Sequence, residues 1–172
     1  DQVSDPTNTQ AVKAWVDSQY DPAVTWADIA WLRGIWQGKL VSKGMLEAED
    51  ARAALDAGAD AVVISNHGGR QLDSVASTIS KLPAVIEAVG GRLEVFMDGG
   101  VRGGMDVFKA VALGATGVLI GRPWAWAIAG SGEAGLVDLL ATFKRELAVA
   151  MALTGARSIS EVHRDLIEWD RC

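Results

Sequence analysis

The sequence is poor in the residues that build metal clusters and covalent frameworks: it has one cysteine, Cys172, at its last position, and two histidines, His67 and His163. A lone terminal thiol excludes an internal disulfide framework and a cysteine metal cluster, and it fits a reducing compartment such as the cytoplasm. Positive charge is also in deficit. Sixteen Lys and Arg stand against 22 Asp and Glu, giving a formal charge of −6 and a pI of about 4.9. That balance has the wrong sign for a binder of nucleic-acid backbones, so no nucleic-acid partner is expected. Long apolar runs are absent as well: the longest uncharged stretch, residues 110–121, is broken by glycines. It falls short of the ~18 residues a bilayer span needs. No initiating Met and no basic-then-apolar leader precede the polar start at Asp1, from which the expectation is that something upstream has been removed. What remains is the composition of one packed domain, 49% hydrophobic and 22% charged in 172 residues.

Residues 1–25, rich in Asp, Gln, Ser and Thr, read as a loop or loosely held arm. Beyond them helix and strand signals alternate. Thr25 suits an N-cap, with Asp28 in the first turn and Ile29, Leu32 and Trp36 on one face, so a helix is predicted to end near Gly38. Leu40-Val41 reads as a short strand closed by Ser42-Lys43-Gly44, and a helix with Ala51, Ala54 and Leu55 on one face stops at Gly58. Residues 61–64, 93–97 and 117–120 read as three further strands, separated by helices around Leu82, Val85, Ile86 and Val89 and around Met105, Phe108 and Ala112. A long last helix carries Leu136, Leu139, Leu140, Phe143, Leu147, Ala150 and Met151 to Gly155, and Ser158 with Glu161 predicts a capping box. Residues 58–64 echo residues 114–120, an offset of two strand-helix units.

This alternation predicts the α/β class with a parallel sheet. A closed eight-stranded barrel takes ~250 residues, so four units make half of one. Four parallel strands alone leave two unpaired edges, and either the rest of a barrel lies elsewhere or the sheet is open.

Every glycine-rich polar segment follows a strand and precedes a helix, which is the side where barrel active sites are built. The densest is Ser65-Asn66-His67-Gly68-Gly69-Arg70-Gln71-Leu72-Asp73. His67 there suits a rigidly held general base, and Arg70 can present a planar fork to a carboxylate. The same residues also suit a turn in which both side chains bond backbone carbonyls. Asp98-Gly99-Gly100-Val101-Arg102-Gly103-Gly104 reads as a phosphate cradle: glycines admit close approach of amides, the following helix N-terminus adds positive potential, and Arg102 adds a charge. Gly121-Arg122 would supply a second arm. Lys43, ending the first strand on the same rim, suits a Schiff base or the holding of negative charge on a cofactor, and equally a solvated surface lysine. The G-x-G-x-x-G dinucleotide fingerprint is absent. His163 reads as a surface residue, and the seven tryptophans, Trp124 and Trp126 among them, as packing or subunit contacts.

Taken together, Lys43-Gly44, the nonapeptide from Ser65 to Asp73, the glycine-arginine segment from Asp98 to Gly104 and Gly121-Arg122-Pro123 closely resemble the FMN-dependent α-hydroxy-acid oxidase and dehydrogenase family. That family includes glycolate oxidase, lactate oxidases and dehydrogenases, and mandelate dehydrogenase, and the likeness runs from about residue 19 to residue 167. The resemblance implies the C-terminal half, strands five to eight, of a (β/α)8 TIM barrel. Residues 1–25 would then belong to the loop after strand four, and residues 26–172 would form the half-barrel. It implies an oxidoreductase that converts a small L-2-hydroxy acid to the 2-oxo acid with FMN. His67 would be the base, taking either the hydroxyl proton or the α-proton, and Arg70 would bind the carboxylate. Lys43 would stabilise the reduced flavin, and Ser65 would contact its ring. Asp98, Gly99, Gly100, Arg102, Gly121 and Arg122 would hold the ribityl chain and phosphate. The implied partners are the N-terminal half of the barrel, which in the family carries substrate tyrosines, a second arginine and an aspartate paired with the histidine, and further copies in a homo-oligomer, often a tetramer. Tyr20 maps to none of those roles. Some members attach to membranes through the loop after strand four. Two other readings share parts of the pattern: a non-catalytic half-barrel that binds a phosphate-bearing ligand or a partner, and a flavin-dependent isomerase, which leaves the His67 and Arg70 pair unexplained.

Overall fold

The computed structural model describes residues 7–169. Two helices come first, α1 (Thr9–Ser18) and α2 (Trp26–Ile35), and then strand and helix alternate: β1 (Val41–Met45), α3 (Ala48–Asp56), β2 (Ala61–Ile64), α4 (Thr78–Val89), β3 (Glu94–Met97), α5 (Gly104–Ala112), β4 (Gly117–Val118) and α6 (Arg122–Thr154). The four strands are parallel and hydrogen-bonded in chain order, β1-β2-β3-β4, so α3, α4 and α5 are each a crossover between neighbours. The α/β class with a parallel sheet, expected from the sequence, is what the chain adopts. The internal echo also has a structural meaning. At equivalent positions Asp60 N–H donates to Leu40 O at 2.8 Å and Thr116 N–H donates to Val95 O at 2.7 Å, each opening a strand against its predecessor.

Side chains alternate across a strand, and that period decides what faces what. Val62, Ile64, Val95 and Met97 point to the helices and join Leu82, Val85 and Val89 in one buried cluster. Full burial of each such side chain contributes about 1.5–3 kcal/mol. Phe108, Ala112, Ala150, Ala156 and Val162 form a smaller cluster that fixes the end of α6 on α5. The ladder register aligns Lys43, Val63, Phe96 and Gly117, which therefore share the opposite face. Ser65 and Asp98 continue that alternation at the C-terminal rim.

The N-terminal rim is closed by ion pairs instead. Asp60 pairs with Arg33 at 2.9 Å and Lys39 at 3.2 Å and accepts the Leu40 amide at 2.8 Å. The Leu40 amide first, then Lys39 and Arg33, hold its carboxyl below the ordinary carboxylate value.

Several expectations are corrected. The segment read as a loop or loosely held arm contains α1, in which Ala11, Val12, Trp15 and Val16 fall at helical spacing although every side chain is at least partly exposed. Lys43 does not end β1, because the strand continues to Met45 past an irregularity between Lys43 and Met45. β4 is only two residues long; Leu119 N–H still donates to Met97 O at 2.9 Å, but the strand has no second neighbour among the described residues. Gly121-Arg122, expected as a second arm, runs straight into α6, and Pro123 sits in its first turn, where its missing N–H is no loss. Helix geometry then breaks at Ser131 and Gly132. Ser158 and Glu161 make no capping box, since Glu161 takes the Arg157 amide at 2.9 Å and the Arg157 guanidinium instead. Cys172 lies outside the described residues. Among those residues no helix is long and apolar enough to cross a membrane.

Candidate active site

Because Lys43, Ser65 and Asp98 share one face at adjoining strands, their polar ends meet. Lys43 Nζ lies 2.8 Å from Asp98 Oδ2 and donates to Ser65 Oγ at 2.9 Å. Ser65 is buried, with 1% of its surface exposed, and its Oγ also accepts the His67 amide at 3.1 Å. One hydroxyl thus supports both the ammonium and the backbone of the histidine. The second carboxylate oxygen, Asp98 Oδ1, is buried and has no hydrogen-bond partner. A buried acceptor in that state costs about 1–3 kcal/mol unless a donor is brought to it.

His67 opens a 3-10 turn, His67–Gly69, with Asn66 Oδ1 accepting from Gly68 N–H at 3.0 Å. Its φ is 54°, left-handed for a residue other than glycine, a conformation that costs on the order of 1–3 kcal/mol and collects at functional sites. The imidazole lies against Gly44, which occupies the β1 irregularity with φ +106°; a Cβ built on Gly44 would stand 2.7 Å from His67 Nε2.

A single open cleft of about 930 Å³ gathers Lys43, His67, Arg70, Asp98, Gly99, Gly100, Arg102, Gly121 and Arg122. Every site residue read from the sequence therefore lines it except Ser65, which lies beneath and holds Lys43 and His67. Four cations against one carboxylate suit an anionic ligand. Arg122 Nη2 donates to Gly68 O at 3.1 Å and ties the loop after β2 to the start of α6.

Two amides at the start of α5 already have partners: Arg102 N–H, just ahead of the helix, donates to Asp106 at 2.9 Å and Gly104 N–H to Glu146 Oε2 at 2.7 Å. Here α6 presses on α5 so closely that a Cβ on Gly104 would stand 2.2 Å from Phe143 O. The Gly99-Gly100 turn, Arg102, Arg122 and Gly121 at the start of α6 border the cleft. Cβ atoms built on Gly100 and Gly121 meet nothing within 4 Å.

Leu119, Ile120 and Trp126 also line the cleft, and Trp126 is 70% exposed. Sequence reasoning missed this part, which only the placement of α6 reveals, and gave Gly44 no role against the imidazole. His163 lies on the surface, its Nδ1 3.7 Å from Asp165 Oδ2. Among the described residues no group of three or more His, Cys, Asp or Glu could hold a metal ion.

The chain matches the model of the family described as FMN-dependent dehydrogenase over residues 2–169. It belongs to that family. Relatives within the FMN-dependent dehydrogenase family include an L-lactate dehydrogenase of Caulobacter vibrioides (strain NA1000 / CB15N), 52% identical over 158 residues, which cover 92% of this chain and 41% of the relative. An L-lactate dehydrogenase of Pseudomonas putida (strain W619) is 49% identical over 160 residues, covering 93% and 42%. Among solved structures, mandelate oxidase superposes with a TM-score of 0.85 at 44% identity, over 91% of this chain and 46% of that one. The chain thus spans less than half the length of these relatives.

Proposed function

We propose that this chain forms strands five to eight of a (β/α)8 barrel, residues 1–25 lying in the loop after strand four and residues 26–172 forming the half-barrel. The complete barrel, assembled as a homo-oligomer, oxidises an L-2-hydroxy acid of the lactate, glycolate or mandelate class to the 2-oxo acid with FMN. The observation that carries the reading is the one cleft in which His67, Arg70 and Lys43 stand beside two glycine-arginine turns. The single-neighbour edges of β1 and β4 support the half-barrel.

The residues present fit FMN. Arg102, Arg122, Gly100 and Gly121 suit its terminal phosphate, and the unpartnered buried Asp98 Oδ1 suits a hydroxyl donor of the ribityl chain. When bound, FMN would accept two electrons and one proton from the substrate. Lys43, fixed by Asp98 and Ser65, supplies the positive charge that offsets the charge arriving on the ring. Arg70 binds the substrate carboxylate through its planar fork. His67 takes up the second proton, on an imidazole nitrogen, as C–OH becomes C=O.

Anaerobic mixing of the complete protein, loaded with FMN, with L-lactate, glycolate or L-mandelate is expected to bleach the visible flavin absorbance. Bound flavin that none of these acids reduces would favour the alternative, a half-barrel that binds a phosphate-bearing ligand or partner without redox chemistry. Replacing Arg70 with Lys keeps the charge and loses the fork. The KM for the acid should rise about ten-fold, the loss of one charge-assisted hydrogen bond, with kcat changed less; steady-state kinetics over a substrate range checks the split.

A further inference from the structure

Two buried polar side chains are found among the described residues, Ser65 and Thr78, each 1% exposed. Ser65 is accounted for above; Thr78, the first residue of α4, is not. Its Oγ1 donates to Asp98 O at 2.6 Å and also lies 3.1 Å from Gly99 O, so one hydroxyl draws two successive carbonyls toward the buried side of the turn. All the described peptide bonds are trans. In a trans peptide the C=O of one residue and the N–H of the next point in opposite directions. With the carbonyls of Asp98 and Gly99 directed at Thr78, the N–H groups of Gly99 and Gly100 are directed away from it, and both residues line the cleft. Gly99 and Gly100 can hold this arrangement because their φ values are +84° and +86°. Gly99 is further clamped, since a Cβ there would stand 2.8 Å from Asn66 Oδ1 and 3.2 Å from Thr78 Oγ1.

We infer that Thr78 is a positioning residue for anion binding: its hydroxyl sets the polarity of the Asp98-Gly99-Gly100 turn, so that two amide donors, and not two carbonyl oxygens, face the phosphate end of the cleft. The inference rests on the proposed FMN site and names a residue that never touches the ligand. Without the hydroxyl, the two carbonyls have no buried donor and the turn gains by rotating a peptide plane, which carries a carbonyl dipole toward the anion.

The test is the affinity ratio of FMN to riboflavin, which lacks the phosphate, measured by flavin fluorescence quenching on the complete apoprotein. Wild type should prefer FMN strongly. Thr78→Val, which matches the side chain in shape, should lower that preference about ten-fold or more, the scale of a lost charge-assisted hydrogen bond, while riboflavin affinity changes little. Thr78→Ser, which keeps the hydroxyl, should retain the wild-type ratio. A valine variant that keeps the full preference overturns the role of Thr78 and leaves the FMN site intact, as does a serine variant that loses the preference, even if the valine variant fails to fold. A wild-type protein that binds riboflavin as tightly as FMN overturns the anion site itself and the inference with it.

Discussion

Replacing His67 with Gln is expected to lower kcat for hydroxy-acid oxidation by about 10²–10⁴-fold, the span that a positioned general base contributes, while FMN stays bound. Glutamine retains hydrogen-bonding capacity but has no nitrogen that takes up a proton near neutral pH. The flavin should be unaffected because Lys43, Asp98 and Arg122, among the groups assigned to it, are held by contacts that do not pass through the imidazole: Asp98 and Ser65 fix Lys43, and Gly68 O anchors Arg122. Steady-state turnover together with flavin content per protein checks both halves. His163→Gln is the internal comparison and should leave turnover unchanged, since that ring is surface-exposed beside Asp165. If the His67 variant turned over at the wild-type rate, the proton would have another acceptor, and the assignment of the base would be wrong.

The histidine was legible in the sequence because its signal is local: a buried apolar run at 61–64, then polar and glycine residues, an order repeated after β3 and β4. The strand runs where the apolar run predicts it, and the cleft collects His67, Arg70 and Lys43 because parallel strands all present their C-terminal ends on one rim. Contacts between elements carried no such signal. Glu146 stands 42 residues from the Gly104 amide whose hydrogen bond it accepts, so the engagement of that amide is invisible until α6 is placed. Trp126 reaches the cleft for the same reason. Ser65 was legible as a site residue, but its bonds to Lys43 and to the His67 amide were not, since they depend on which strands lie side by side. Residues 9–18 differ: Ala11, Val12, Trp15 and Val16 do fall at helical spacing, but that stripe is short, sits among polar residues and stays at least partly exposed.

Replacing Gly44 with Ala is expected to separate activity from stability. The added Cβ would stand 2.7 Å from His67 Nε2. Real contacts of that length do not persist, and one partner must yield. The backbone of His67 cannot, because its amide is held by Ser65 Oγ and its turn by Asn66, so the imidazole must swing about its side-chain torsions. Moving the tip of a side chain costs little folding energy, but a base displaced by about 1 Å can lose on the order of 10²-fold in rate. The turnover of Gly44→Ala should therefore fall by about that factor, with FMN retained and KM for the acid changed much less. The substitution also strains the backbone, since Gly44 has φ +106°, which costs on the order of 1–3 kcal/mol. Gly91→Ala isolates that second effect: Gly91 also has positive φ, +74°, yet a Cβ there meets nothing within 4 Å, and it lies between α4 and β3 at the opposite rim. Both variants should melt below wild type, and only Gly44→Ala should lose turnover. Equal turnover in the two would mean that the imidazole has room to spare at Gly44, and that the glycine serves the β1 irregularity alone.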